Sequence, residues 1–196
     1  VQYLQRAWDE KSEDWEERLQ RFSKTIIEHI DTLSDIASEF SDFAKMPQKK
    51  EGKVELLETI KKSFDLFADI ENIQFSLHDD HEEKHYVLAD KNQLIRVFTN
   101  LIKNSVQAIG SKKGGTIEII IDRNEIMHII RVKDNGPGIP ADMVDKIFSP
   151  SFTTKSSGMG LGLALVKSII LEAGGEITFE SSSSGTEFII QLPVYS

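Results

Sequence analysis

The sequence predicts an α+β protein, a long front helix followed by a domain that mixes helices and strands. Three observations predict it. Residues 1–46 contain no Gly or Pro and keep a helical pattern throughout. Met46-Pro47-Gln48-Lys49-Lys50-Glu51-Gly52 then breaks that pattern. Beyond the break, amphipathic helical runs alternate with short β-rich runs to the end of the chain.

From Trp15 the apolar residues read Trp15, Leu19, Phe22, Ile26, Ile30, Leu33, Ala37, Phe40 and Ala44, with steps of 4 and 3 close to a heptad seam. A helix from Glu13 to Lys45 would be roughly 50 Å long at 1.5 Å per residue. It cannot bury that stripe alone and calls for a partner helix. The polar stretch Asp9 to Asp14 suits a hairpin turn, with Ser12 as a cap for the second helix. Pro47 stops the helix, and residues 48–53 read as a linker. The second domain takes residues 54–196, an ordinary domain size.

Within it, Val54 to Ala68 reads as an amphipathic helix and Gln74 to His78 as a strand. Asp79 to Lys84 is a charged turn, Tyr86 to Leu88 a strand, and Lys91 to Ile109 a helix burying Leu94, Val97, Phe98, Leu101 and Ile102. Thr116 to Asp122 and Ile126 to Lys133 form a hairpin. Leu161 to Ala173 is a helix stopped by Gly174-Gly175, and Glu176 to Ser181 and Thr186 to Leu192 make a last hairpin.

The composition excludes several functions. Hydrophobic content of 39% and charged content of 28% are ordinary for a folded domain. A net charge of -9 argues against nucleic acid as a partner, which needs a basic footprint. The absence of cysteine removes disulfide scaffolds, thiolate zinc sites and cysteine nucleophiles, and fits a reducing cytoplasm. No apolar run approaches a membrane span.

Three segments carry chemistry. Asp134-Asn135-Gly136-Pro137-Gly138-Ile139 follows a strand directly. A carboxylate there only accepts hydrogen bonds, so it suits an exocyclic amine such as that of adenine. A plain turn would use the same Asn-Gly and Gly-Pro pairs. Gly158-Met159-Gly160-Leu161-Gly162-Leu163 opens a helix, where backbone N–H groups can approach phosphate. Lys155, just upstream, supplies positive charge to an acidic chain, unless it is simply a solvated lysine. Asn100 and Asn104 lie four apart on one helix face, continued by Gln107 and Ala108. An Asn oxygen can ligate Mg²⁺, although an exposed helix edge would also carry such residues.

Taken in order, Asn100/Asn104, Asp134 to Gly138, Phe148 and Phe152 with Thr153-Thr154-Lys155, Gly158 to Leu163, and Gly185-Thr186 resemble the ATP-binding lobe of two-component sensor histidine kinases. That lobe sits within the wider superfamily of gyrase, Hsp90 and MutL. The resemblance covers residues 54–196. It implies a two-layer α/β sandwich with a mixed, mainly antiparallel sheet packed on helices, preceded by a long helix of a dimerisation hairpin.

It also implies roles. Asn104 resembles the Mg²⁺ ligand, with Asn100 and Lys103 beside it, and Asp134 the adenine-binding Asp, with Thr186 close by. Gly136, Gly138 and Ile139 would let the base approach the backbone. Lys155, Gly158, Gly160, Leu161 and Gly162 would hold the phosphates, with Thr153 and Thr154 flanking a short lid. Hydrolysing relatives carry a general-base Glu where Asn100 stands. An amide has no usable basicity, which favours a kinase that passes the γ-phosphoryl to a protein. Asn100, Asn104 and Lys155 are the expected catalytic set, ATP and Mg²⁺ the expected cofactors.

The helix ending Phe40-Ser41-Asp42-Phe43-Ala44-Lys45-Met46-Pro47 resembles the second hairpin helix of kinases of the nitrogen-regulation type, with residues 1–8 as the tail of the first. The family's acceptor pattern, His-Glu-x-x-Asn-Pro, is missing. His29, His78, His81, His85 and His128 read as ordinary surface or half-buried residues, and the loose trio His78, His81 and His85 as a poor metal site. The expectation is therefore a piece that begins just after its own acceptor. It would bind ATP, be unable to phosphorylate itself, pair as a homodimer through the front helix, and act upstream of a response-regulator receiver domain. It would be cytoplasmic, reaching a membrane only through an absent sensor region. A superfamily ATPase and a non-catalytic nucleotide-binding scaffold are the alternatives.

Overall fold

In a computed structural model, residues 15–44, 50–81, 83–150 and 160–195 are described. The chain separates into two compact units, Val1–Lys45 with Thr153–Met159, and Met46–Phe152 with Gly160–Ser196. The described part of the first unit is helix α1, Trp15–Ala44. Leu19, Ile26, Ile27, Ile30 and Leu33 are exposed along it. An Arg21–Glu17 pair at 2.9 Å, one turn apart, supports the helix by a few tenths of a kcal/mol. The expected turn at Asp9 to Asp14, the cap Ser12, the tail at residues 1–8 and the helix stop at Pro47 lie outside the described residues.

The second unit is the α+β domain. Its elements are β1 (Gly52–Glu55), α2 (Leu56–Asp65), β2 (Ile73–Asp79), β3 (Tyr86–Ala89), α3 (Lys91–Ile109), β4 (Gly115–Arg123), β5 (Met127–Asp134), α4 (Gly162–Glu172), β6 (Glu176–Ser182) and β7 (Gly185–Pro193). A 3-10 turn at Ala141–Lys146 follows the Gly-Pro-Gly loop. Five strands form one sheet in the order β2-β4-β5-β7-β6, while β1 and β3 pair separately. Only the β2–β4 pairing in the large sheet is parallel. The sheet is thus mixed and mainly antiparallel, as the resemblance implied.

The two layers follow from side-chain period. On β4 the residues Ile117, Ile119 and Ile121 are buried while their neighbours are not, and Ile130 and Val132 on β5 and Ile190 and Leu192 on β7 repeat that alternation. α3 answers with Leu94, Val97, Phe98, Leu101 and Ile102, a stripe at helical spacing with no exposed surface. Leu56 and Ile60 of α2 and Val166 and Ile170 of α4 complete the same core. Each such side chain contributes about 1.5–3 kcal/mol by leaving water. Asp90 starts α3 by accepting from the N–H groups of Asn92 and Gln93.

The start of the domain differs from its sequence reading. Gly52 and Lys53 are strand, not linker, and Val54 and Glu55 complete that strand before the helix begins. Val54 satisfies both periods, and pairing with Val87 decides for the strand. Glu55 is the cap: its carboxylate accepts from Leu57 and Glu58 N–H at 3.0 and 2.7 Å. The helix stops at Asp65, short of Ala68.

The histidines also differ. His85 and His128 have no exposed surface. Their Nδ1 atoms lie 3.1 Å apart, His85 Nε2 lies 2.9 Å from Asp79 Oδ1, and His128 Nε2 lies 3.1 Å from the Tyr86 carbonyl. That carbonyl can only accept, so His128 carries its proton on Nε2 and takes one from His85 on Nδ1. β3 and the start of β5 bring the two rings together, an adjacency invisible to residues 43 apart. No group of His, Cys, Asp or Glu suited to a metal ion occurs among the described residues.

Candidate functional site

The site grows from the far end of β5. Asp134 closes that strand between β4 and β7, facing Ile117 on one side and Thr186 on the other. Its carboxylate is buried, at 5% exposure, and three donors hold it. Gly136 N–H gives to Oδ1 at 2.8 Å, Thr186 N–H to the same oxygen at 3.3 Å, and Ser105 Oγ to Oδ2 at 3.0 Å. A carboxylate has about four lone-pair positions, so one is left for a further donor. Ser105 comes from α3, so helix, strand and loop converge on one side chain.

The loop after Asp134 is pinned on both flanks. Asn135 is structural: its Oδ1 accepts Thr116 N–H and its Nδ2 gives to Gly114 O, both at 2.9 Å. Gly136 lies against α3, where an added Cβ would come within 3.2 Å of the Ala108 methyl. Gly138 has φ of +78°, a left-handed backbone, and an added Cβ would run into the Ser182 carbonyl. Ile139 N–H gives to Ser181 Oγ at 2.7 Å. The glycines expected at a ligand face therefore also let the loop close onto α3 and onto the β6–β7 hairpin.

Asn100 and Asn104 are half-buried on the same face of α3. Asn100 Nδ2 gives to Arg96 O at 2.9 Å, and its Oδ1 would be 2.8 Å from a Cβ at Gly162. A side chain at Gly162 would therefore press on the Asn100 amide where α4 begins against α3. Lys103, between the two amides, is half-buried as well. α4 starts with Leu161 as its cap residue, and no described side chain bonds its first N–H groups. Gly160, before it, has φ of +67°. Phe148 anchors the approach to this helix by edge contacts with Phe179 and Phe188 at 6.0 and 6.4 Å between centroids.

The domain therefore brings together Asp134, Gly136, Gly138, Ile139 and Thr186 at one end of the sheet, and Asn100 and Gly162 where α3 meets α4. Phe152, Thr153, Thr154, Lys155 and Gly158 lie outside the described residues.

Residues 89–196 match the family described as histidine kinase-, DNA gyrase B- and HSP90-like ATPase. The chain belongs to this ATPase family. Among curated relatives, a putative NtrY-like sensor histidine kinase of Rickettsia prowazekii is 32% identical over 167 residues, 85% of this chain and 27% of that protein. The sensor histidine kinase ZraS of Escherichia coli is 33% identical over 180 residues, 89% of this chain and 38% of that protein. The chain thus spans well under half the length of these relatives. The solved catalytic domain of histidine kinase ThkA superposes with a TM-score of 0.67 at 34% identity, covering 74% of this chain and 96% of that one. ThkA in complex with the response regulator TrrA gives 0.74 at 30% identity, over 90% of this chain and 52% of that one.

Membership of this ATPase family makes the domain a nucleotide-binding one. Sequence reasoning missed Ser105 and Ser181, and named Gly185 only as part of the Gly-Thr pair. Ser105 adjoins the Asn104 already singled out, yet it turns to the core side of α3, where a serine carries no pattern of its own. Gly185 allows the closest approach of the hairpin to the Asp134 backbone; an added Cβ would collide with the Asp134 carbonyl.

Proposed function

We propose that this domain binds ATP with Mg²⁺ and donates the γ-phosphoryl to a histidine on a dimerisation helix, for relay to an aspartate of a response regulator. The observation that carries the reading is buried Asp134, held by three donors with one acceptor position to spare beside backbone that carries no side chain at Gly136 and Gly138. That arrangement suits the amine of adenine. The uncapped start of α4 at Gly160 to Gly162, with Lys155 and Gly158 before it, would take the phosphates. Thr153 and Thr154 would belong to the lid.

Asn104 presents an amide oxygen, a hard donor that fits Mg²⁺ with phosphate oxygens and water as its other ligands. When bound, the metal would neutralise charge on the phosphates. Asn100 would position without abstracting a proton, since its amide is engaged with Arg96 O and has no basicity. Lys103 would add positive charge on the same helix. The acceptor would come from another segment, because no histidine of this chain sits in the acceptor pattern. The apolar stripe of α1 would pair two copies. The complex of ThkA with its response regulator supports a receiver-domain partner of the same kind. No helix among the described residues is long and apolar enough to cross a membrane. The domain would work in the cytoplasm as part of a membrane-anchored sensor.

The test is phosphoryl transfer in trans. The chain is mixed with γ-labelled ATP, Mg²⁺ and a separate dimerisation domain bearing the acceptor histidine. Label is expected on that domain and not on this chain. Rapid release of free phosphate instead would favour the hydrolase reading, and ATP binding without transfer the scaffold reading.

A further inference from the structure

The β6–β7 hairpin reaches the site through a side chain that the motifs do not contain. Ser181 is the Cα partner of Thr186 across the hairpin. Its Oγ accepts Ile139 N–H at 2.7 Å, lies 3.1 Å from Thr186 Oγ1, and lies 3.4 Å from Gly185 O. Thr186 in turn gives its backbone N–H to Asp134 Oδ1. A single hydroxyl therefore joins the Gly-Pro-Gly loop to the residue beside the buried carboxylate.

A serine hydroxyl has one hydrogen and two lone pairs. One lone pair is taken by Ile139 N–H. The hydrogen has two possible acceptors, and Thr186 Oγ1 is nearer than Gly185 O by 3.1 against 3.4 Å. When Ser181 gives its hydrogen to Thr186, the hydrogen of Thr186 must point elsewhere. In the opposite arrangement Thr186 spends its hydrogen on Ser181 and offers only lone pairs. The polarity of this pair fixes whether the site shows a donor or an acceptor next to Asp134.

Adenine decides which polarity is useful. Its pairing edge carries an amine that gives and, next to it, a ring nitrogen, N1, that accepts. Asp134 suits the amine. A group beside Asp134 must then be a donor to satisfy N1. We propose that Ser181 is a positioning residue for base recognition: by giving its hydrogen to Thr186 and holding the Ile139 N–H, it aims the Thr186 hydroxyl as a donor at adenine N1. Guanine, with N1–H and a carbonyl on the same edge, meets a carboxylate and a donor in the wrong places. The inference rests on the ATP-binding reading and adds the group that sets base selectivity.

The experiment compares ATP with 1-deaza-ATP, which keeps the amine and lacks the N1 acceptor, on the whole chain by calorimetric titration. The unaltered chain is expected to prefer ATP by about tenfold, the worth of one good hydrogen bond. In Ser181→Ala the Thr186 hydroxyl turns freely, and the preference is expected to fall to about twofold through a loss of ATP affinity alone. Ser181→Thr keeps a hydroxyl and should restore the preference, with melting temperatures of all three chains alike. A Ser181→Ala preference still near that of the unaltered chain, equal loss for both nucleotides, or no rescue by Ser181→Thr would overturn the proposal. Asp134→Asn separates the two levels. If the unaltered chain binds no ATP, or Asp134→Asn binds it equally well, the ATP reading itself fails and this inference with it. If Asp134→Asn loses ATP while Ser181→Ala keeps its preference, only the role of Ser181 falls.

Discussion

The two ends of β5 bury polar groups of opposite purpose. At one end His128 is sealed, its two ring nitrogens facing a carbonyl and a second histidine, and the chain continues to Asp79. At the other end Asp134 is also buried but incompletely saturated, with three donors on a group that accepts about four. A fully paired cluster tightens the fold and has nothing left for a ligand. A carboxylate with a spare acceptor position, next to glycines, is an invitation to one. Burial alone did not distinguish them; the count of unfilled hydrogen-bond positions does.

That contrast can be broken at either end. The largest effect is expected from Asp134→Asn. The amide oxygen can keep Gly136 and Thr186 N–H, and Ser105 can turn its hydroxyl to accept, so the fold survives. The new NH₂, however, faces a donor amine where a charged acceptor stood. Hydrogen bonds to charged groups are worth about 1.5–3 kcal/mol, so ATP affinity should fall on the order of 10- to 100-fold in a calorimetric titration. Unchanged affinity would remove Asp134 from the site.

His128→Leu should do the reverse. It leaves buried His85 Nδ1 without its partner, at a cost of about 1–3 kcal/mol, while the Tyr86 carbonyl keeps the Tyr195 N–H at 2.8 Å. Thermal unfolding should move down by roughly 5 °C, with ATP affinity held within about twofold because β5 still ends in the same place. A large loss of affinity would mean that the two ends are not independent.

The smallest effect is a pH slope. Burial lowers the pKa of His128 to about 4; the Tyr86 carbonyl pulls the other way, and the charges of His85, Arg123 and His81 add to the lowering. The unfolded ring takes its proton near the ordinary value of about 6.5. Between these values the unfolded chain binds more protons, so this contribution is complete above about 6.5 and is lost as pH falls toward 4. Denaturant titrations from pH 7 to 4.5 should show falling stability, and His128→Leu should flatten that slope while Asp134→Asn keeps it. An equal slope in His128→Leu would assign it to groups other than His128.

Much of this was legible from the sequence where a local pattern fixed the outcome. α3 was readable end to end, because its stripe from Leu94 to Ile102 repeats at helical spacing. The loop at Asp134 to Gly138 was readable because glycine beside a strand-end carboxylate is a local signal. The strand Gly52–Glu55 was not, since Val54 fits a helix as well and only Val87, far along the chain, decides. Ser105 and Ser181 were illegible for a related reason: each matters through a partner on another element. The paired histidines looked ordinary because their adjacency depends on β3 lying over the start of β5.

The bond from Thr186 N–H to Asp134 spans 52 residues, and its position in the chain sets a timetable. Ser105 is synthesised before Asp134 and Gly136 directly after it, but the β6–β7 hairpin follows only about fifty residues later. Until β7 docks, the Asp134 carboxylate lacks one of its donors. On the proposed reading, nucleotide would be held well only once the β6–β7 hairpin is in place, so ATP would report, in a growing chain, that this hairpin has docked.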